Sequence, residues 1–296
     1  MIQRKKPKPF PSASDDAKAS EVCARTPQTL SPSYRLAFRD GDFLLKEELR
    51  PVRLQLELLK PELILNEFGI EGTIVIFGGS RIPEPEVAHR QLAAAEEAAA
   101  GNPADQQLAR AVRVARRRAE TSRYYEEARR LASIISQANK ESPDFNVVVV
   151  TGGGPGIMEA ANRGAHETGV ESIGLNIVLP HEQHPNLYIT PELSFQFHYF
   201  AIRKMHFLIR AKALVVFPGG YGTLDELFET LTLIQTGKIT PFPVLIFGKH
   251  FWDRIINFDA LVEEGTIDPN DLEIFQYVET AEEAWKIISN AHPPIS

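Results

Sequence analysis

Three glycine-rich runs and two charged pairs are the places where this chain could do chemistry. Gly152-Gly153-Gly154-Pro155-Gly156, Pro218-Gly219-Gly220-Tyr221-Gly222-Thr223 and the shorter Gly78-Gly79-Ser80 each close an apolar, β-branched run. Glycine lets backbone N–H groups approach a phosphate closely, and a helix starting just after the loop adds the positive end of its dipole. One such loop is ordinary turn geometry; three in one sheet point to a nucleotide phosphate. The 152–156 loop lacks the G-x-G-x-x-G spacing of a dinucleotide site, and no G-x-x-x-x-G-K-[ST] string exists for a triphosphate. A phosphate monoester fits better.

The charged pairs are Arg203-Lys204, on a predicted helix before the third glycine-loop strand, and Asp225-Glu226, opening the helix after it. Taken singly, each has a structural explanation. A carboxylate in a first helical turn complements the dipole, and an arginine on a helix is ordinarily solvated. Beside a phosphate loop, however, an arginine and a glutamate at one sheet edge become credible reactive partners.

The elements that position these groups are legible as short apolar runs. Thr73–Phe77, Val147–Thr151, Ala213–Phe217 and Val244–Phe247 are nearly continuous and rich in β-branched residues, as in parallel strands buried on both faces. Helical spacing follows most of the loops, for example Leu224, Leu227, Phe228, Leu231 and Ile234. Repeated strand–glycine–helix units predict an α/β, doubly wound, Rossmann-like parallel sheet with helices on both faces and ligands at the carboxyl ends of its strands.

Around that sheet the composition predicts additions. Residues 1–33, rich in Lys, Pro, Ser and Thr, are expected to form a disordered or loosely ordered tail. Its basic cluster at Arg4, Lys5, Lys6 and Lys8 reads as a solvated arm. Residues 34–296 are expected to form one domain, with N-terminal helices over 34–70, where Pro51 and Pro61 mark boundaries. An Ala-rich excursion of about 88–140, broken at Gly101-Asn102-Pro103, is expected to be an inserted helical hairpin. Leu108, Ala111, Val112 and Ala115 form its apolar stripe. Its arginines Arg113, Arg116, Arg117 and Arg118 are offset by Glu96, Glu97, Glu120, Glu126 and Glu127. This favours packing on a neighbouring subunit or on the N-terminal helices over RNA binding.

Composition excludes several classes. With 32 basic and 39 acidic side chains the formal charge is −7, which gives no support to a nucleic-acid partner. No apolar run approaches a membrane span. The single cysteine, Cys23, leaves no internal disulfide framework and no cysteine-based zinc site. The basic start has no apolar segment behind it, so a secretory signal is not expected and a cytoplasmic location is. His181-x-x-His184 is flanked by Pro180 and Pro185 and lacks a third ligand, so no metal is expected. The aromatic residues Phe195, Phe197, Tyr199 and Phe200 are either core or a stacking surface for a purine, and His198 either lines a base pocket or simply packs.

The motifs together have a specific likeness. Gly152-Gly153-Gly154-Pro155-Gly156-Ile157-Met158, Arg203-Lys204 and Pro218-Gly219-Gly220-Tyr221-Gly222-Thr223-Leu224-Asp225-Glu226 resemble the paired signature of the LOG family, from about Thr73 to Phe247. Its members are cytokinin-activating phosphoribohydrolases and related AMP nucleosidases, long labelled lysine decarboxylases. The resemblance implies that Arg203 and Glu226 are catalytic. It also implies that Gly79, Ser80, Gly153, Gly154, Gly156, Met158, Lys204, Gly219, Gly220, Gly222 and Thr223 serve phosphate or nucleotide binding. Asp225 is either a ribose ligand or a helix-start carboxylate. The N-terminal extension, the 88–140 excursion, and Glu159-Ala160 after Met158 place the likeness with longer, bacterial-type members, leaving base preference between AMP, cytokinin ribotides and pyrimidine nucleotides open.

What the resemblance implies is hydrolysis of a nucleoside 5′-monophosphate to free base and ribose 5-phosphate, without cofactor or metal, in a homo-oligomer. A carboxylate near C1′ suits the oxocarbenium character of that reaction. Two rivals differ in class. One is a non-catalytic carrier on the same fold, similar to molybdenum-cofactor carrier proteins; retention of both Arg203 and Glu226 favours the enzyme. The other is an amino-acid decarboxylase, which needs a pyridoxal phosphate lysine; Lys204 is the one lysine suggestively placed.

Overall fold

A computed structural model describes residues 10–142, 145–180 and 184–292. The chain divides at Leu59/Lys60 into two compact units. In the first, helices α1 (Ala13–Ala19), α2 (Pro27–Leu30) and α3 (Gly41–Leu44) are short and contain no buried residue. Local chemistry forms them: Ser12 with Asp15 and Thr26 with Thr29 make reciprocal capping boxes. Two short helices therefore lie in the stretch whose composition suggests a tail, while Arg4, Lys5, Lys6 and Lys8 fall outside the described residues. Helix α4 (Arg50–Glu67) carries Pro61 internally and crosses the division between the units.

In the second unit, among the described residues, seven parallel strands form one sheet in the order β4-β3-β2-β1-β5-β6-β7. They are β1 (Gly72–Phe77), β2 (Val147–Thr151), β3 (Ser172–Ile177), β4 (Ser194–Phe197), β5 (Ala211–Val216), β6 (Val244–Phe247) and β7 (Phe275–Val278). The chain winds outward from β1 to β4, then returns to place β5 on the other side of β1, pairing Ile74 with Ala213 and Ile76 with Val215. That reversal is the switch point at which doubly wound sheets open a ligand crevice.

Both sheet faces are covered, which is why the central strands read as unbroken apolar runs. Ile74, Ile76, Val147, Val149, Val215 and Phe247 pack on one side with residues of α7 (Arg123–Glu141), α8 (Ile157–Glu167) and α13 (Ala281–Ala291). Val75, Phe77, Val148, Val150, Leu214 and Val216 point to the other side. There they meet Phe207 of α9 (Phe200–Ile209), Leu227 and Ile234 of α10 (Tyr221–Gln235), and Trp252 of the short α11 (Lys249–Trp252). Helix α12 (Phe258–Glu263) follows, with Phe258 stacked on Phe228.

The 88–140 excursion is more than a hairpin. Helices α5 (Pro85–Ala100) and α6 (Gln106–Thr121) form the hairpin, and α7 is the crossover helix that covers the sheet. Tyr125, Leu131 and Ile135 of α7 are buried, and Gly164 of α8 lets the two helices approach so closely that a Cβ there would meet the Arg129 carbonyl. In α6, Ala115 is buried, Leu108 and Val112 are half-buried and Ala111 is exposed. No helix of the described residues is long and apolar enough to cross a membrane.

Candidate active site

The crevice at the switch point is a cleft of about 620 Å³ at the carboxyl ends of β1, β2, β3 and β5. One corner of it is built from loop backbone near two helix starts. Gly156 and Gly220 stand at the N-caps of α8 and α10, and neither end carries a side-chain capping bond. In α8 the first N–H, that of Ile157, is taken by the Gly79 carbonyl at 3.3 Å, so the groups left to an anion are those of the next residues; in α10 they begin at Tyr221, and both dipoles favour an anion.

Close approach explains the glycines. Gly156 has φ +71°, and a Cβ there would collide with the Gly79 carbonyl, so the β1 and β2 loops touch only because neither is larger. A Cβ on Gly152 would lie 2.6 Å from Arg203 Nη2. Gly79, Ser80, Gly154, Met158, Gly220, Gly222, Thr223 and Asp225 line the cleft together with Arg203 and Glu226. Gly153, Gly156, Gly219 and Lys204 do not. Gly153 makes room for Asn176, Gly156 for the β1 loop, and Gly219 for the buried Thr223 side chain.

Arg203 is held rather than free. Its Nε donates to the Leu175 carbonyl at 2.7 Å, and its guanidinium carbon lies 5.1 Å from the Phe207 ring centre. The guanidinium therefore keeps donors for a ligand while its stem is fixed. Burial pulls its pKa below the usual arginine value, against the opposing charges of Glu226 and Asp225.

Glu226 is 5% exposed on the first turns of α10, and no cation lies within ion-pair distance of its carboxylate among the described residues. Burial raises its pKa to about 7, although Arg203 and Lys204 pull it down; Glu229 and Asp225 add to the rise. A buried carboxyl near neutrality that lines a cleft makes Glu226 a candidate for acid–base work.

Lys204 acts on geometry. Its Nζ lies 3.0 Å from both Asp225 Oδ2 and Glu229 Oε2, tying α9 to α10 and so fixing Arg203 relative to Glu226. Burial lowers its pKa, but the bonds to Glu229 and Asp225 outweigh that and the net shift is upward. A Schiff-base lysine needs the opposite shift, so Lys204 fits pyridoxal chemistry poorly.

Sequence reasoning missed the support beneath the β2 loop. Asn186 Nδ2 faces the carbonyls of Gly153 (3.2 Å) and Gly154 (3.1 Å) and Asn162 Oδ1 (3.0 Å). Asn162 also accepts from Thr151 Oγ1 at 2.6 Å and donates to Ser172 Oγ at 2.9 Å, and Thr151 Oγ1 accepts from Gly153 N at 3.0 Å. The network is buried and closed, so it fixes the loop's course. Asn162 sits inside a helix and Asn186 in a loop, and neither position carries a local signal.

The remaining candidates divide. Phe195 and Phe197 belong to the core, with Phe195 reaching the cleft wall, while Phe200 lines the cleft and is 54% exposed. Gln196 and Ser194 add polar edges to the same end. His206 is buried 3.5 Å from Glu62, and exposed His198 packs edge-on to Tyr199; neither lines the cleft. His184 is exposed and His181 lies outside the described residues. Among the described residues no cluster of three His, Cys, Asp or Glu side chains could hold a metal ion.

Fold and crevice thus define a doubly wound α/β protein whose switch point is a glycine-lined cleft holding an arginine and a buried carboxylate. Residues 158–288 match the family model described as "Possible lysine decarboxylase". The chain is 32% identical over 153 residues to the cytokinin riboside 5′-monophosphate phosphoribohydrolase LOG3 of Arabidopsis thaliana, covering 50% of this chain and 69% of that protein. It belongs to the LOG family. Among solved structures it is similar to the X-ray structure of TM1055 (TM-score 0.44, 20% identity, 74% of this chain and 99% of the other). It is also similar to the Moco carrier protein of Chlamydomonas reinhardtii (TM-score 0.41, 16% identity, 75% of this chain and 97% of the other).

Proposed function

We propose that the chain hydrolyses the N-glycosidic bond of a nucleoside 5′-monophosphate, releasing free base and ribose 5-phosphate. In this reaction the C1′–N bond breaks, the water oxygen bonds to C1′ and keeps one proton, and the other water proton ends on the departing base nitrogen, so the base leaves neutral. Positive charge develops on the ribose as the base departs. The Glu226 carboxylate stabilises that charge and takes a proton from the attacking water, a role that suits a pKa near 7. Arg203, pinned through Leu175, orients the anionic and hydroxyl groups of the substrate.

The uncapped starts of α8 and α10 hold the 5′-phosphate, away from the bond that breaks. Its binding energy then serves to position C1′ against Glu226. Phe200 and Tyr221 are the exposed aromatic residues of the cleft available to a base. The observation that carries this reading is the buried carboxylate of Glu226, lining a glycine-rich cleft together with Arg203. Incubation with AMP, CMP, GMP and an isopentenyladenine ribotide, following released base, tests it. At least one base is expected to appear with an equal amount of ribose 5-phosphate. Release of nucleoside plus phosphate, or of nothing, would refute the proposal.

A further inference from the structure

A second cavity, of about 1060 Å³, shares Gly79, Ser80, Gly220 and Tyr221 with the cleft but is otherwise built differently. Helix α6 supplies Arg110, Arg113, Arg117 and Arg118 to its wall. Arg81 comes from the β1–α5 loop, Arg123 from the start of α7 and Arg254 from the segment after α11. Glu120 is the one carboxylate among its lining residues, and it is ion-paired with Arg117 at 2.6 Å. Arg123 pairs with Glu279 at 2.8 Å.

Three other glutamates of this region are engaged elsewhere: Glu96 pairs with Arg116, Glu126 with Arg129, and Glu127 accepts from Ala281 N. Arg81, Arg110, Arg113, Arg118 and Arg254 have no carboxylate within ion-pair distance among the described residues. The overall charge of this chain is −7, so the gathering is local and not a reflection of composition. Arginines collected in one groove repel one another, and each guanidinium presents a planar fork suited to phosphate oxygens.

We propose that this groove is a binding site for a linear oligophosphate, either the phosphate chain of a nucleoside polyphosphate or inorganic oligophosphate. Several unpaired guanidiniums converging from three chain segments match several linked phosphates better than one. Tyr124, Phe251 and Ile255 give the groove an apolar floor on which a nucleoside could also rest. The groove meets the Glu226 cleft at Gly79, Ser80, Gly220 and Tyr221, but its arginines lie outside the lining of that cleft, and the site does not depend on the reaction proposed there.

Calorimetric titration of the full chain with inorganic tripolyphosphate, orthophosphate and ATP tests this. Tripolyphosphate is expected to bind saturably, at least about tenfold tighter than orthophosphate, and to weaken as salt is raised. The double variant Arg113→Glu/Arg254→Glu should lose about tenfold or more in affinity. Arg116→Glu, outside the groove, and Glu226→Gln should retain it, and saturating AMP should not displace the ligand. ATP binding more tightly than tripolyphosphate would identify the nucleoside-bearing source; equal binding would identify the phosphate chain alone. Either supports the site.

Unaltered circular dichroism of the double variant keeps a loss of binding interpretable, and binding to Arg116→Glu remains a second control. The proposal is overturned by absence of saturable binding, by binding that survives the double charge reversal, or by displacement with AMP. A single-stranded RNA that binds more tightly than tripolyphosphate through the same arginines would overturn it, as would loss of a protein dimer in the double variant.

Discussion

At the scale of single residues, Glu226 concentrates the argument. Its carboxyl has left water for a site where no cation meets it at contact distance, and its pKa has risen from 4.5 to about 7. In its proposed role the ionised form is active. Accordingly, kcat/KM for AMP should climb about tenfold per pH unit below 7 and level off above it. The same shift bears on stability. Between pH 4.5 and 7 the folded chain keeps a proton that the unfolded chain has released, so Glu226 makes stability fall as pH rises through that window. Above pH 7 the cost of ionising it is on the order of 3 kcal/mol. Glu226→Gln should therefore be more stable than the parent at pH 8, with the difference shrinking towards pH 4.5. Urea unfolding at the two pH values measures this; equal midpoint differences at both would contradict the burial argument.

At the scale of elements, the strands fall into two groups by legibility. β2 (Val-Val-Val-Val-Thr) and the Ala213–Val216 part of β5 announce themselves as unbroken apolar runs because both of their faces are buried. β4 (Ser-Phe-Gln-Phe) and β7 (Phe-Gln-Tyr-Val) lie at the sheet's edges, each leave two residues incompletely buried and are four residues long, too short for a periodic signal. α7 was hidden inside the excursion because its Tyr124-Tyr125 start continues the helical pattern of α6 with only Ser122 between them.

The glycine loops were legible for a local reason, since close approach demands glycine. Their support was not, because Asn162 and Asn186 meet across 24 residues of chain. That clamp makes its own prediction. Asn186→Ala removes the side-chain donor to the Gly154 carbonyl and one of the two donors to Asn162 Oδ1, so it should destabilise the fold by about 1–3 kcal/mol and raise KM for the nucleotide more than it lowers kcat. Denaturant unfolding and steady-state kinetics of one preparation check both. A variant with unchanged midpoint and unchanged KM would remove the clamp from the account.

For the whole molecule, the sheet and both core clusters are drawn from Ile64 onward. The three helices before α4 contain no buried residue and hold themselves by caps and exposed ion pairs such as Arg39–Glu21. Exposed pairs of this kind contribute little to stability. Removal of residues 1–49, leaving α4 intact, should then shift the melting temperature by less than about 4 °C. Base release should also remain. A large drop would show that the first unit supports the sheet.

The central claim concerns one bond and one carboxylate, and it is tested most directly by AMP turnover in the parent chain and in Glu226→Gln at pH 8. Adenine and ribose 5-phosphate are quantified together. The parent should release the two in equal amounts, and the variant should be slower by about 10³-fold while still binding AMP. Adenine release at parental rate from Glu226→Gln, or an intact glycosidic bond with the parent, would contradict the account.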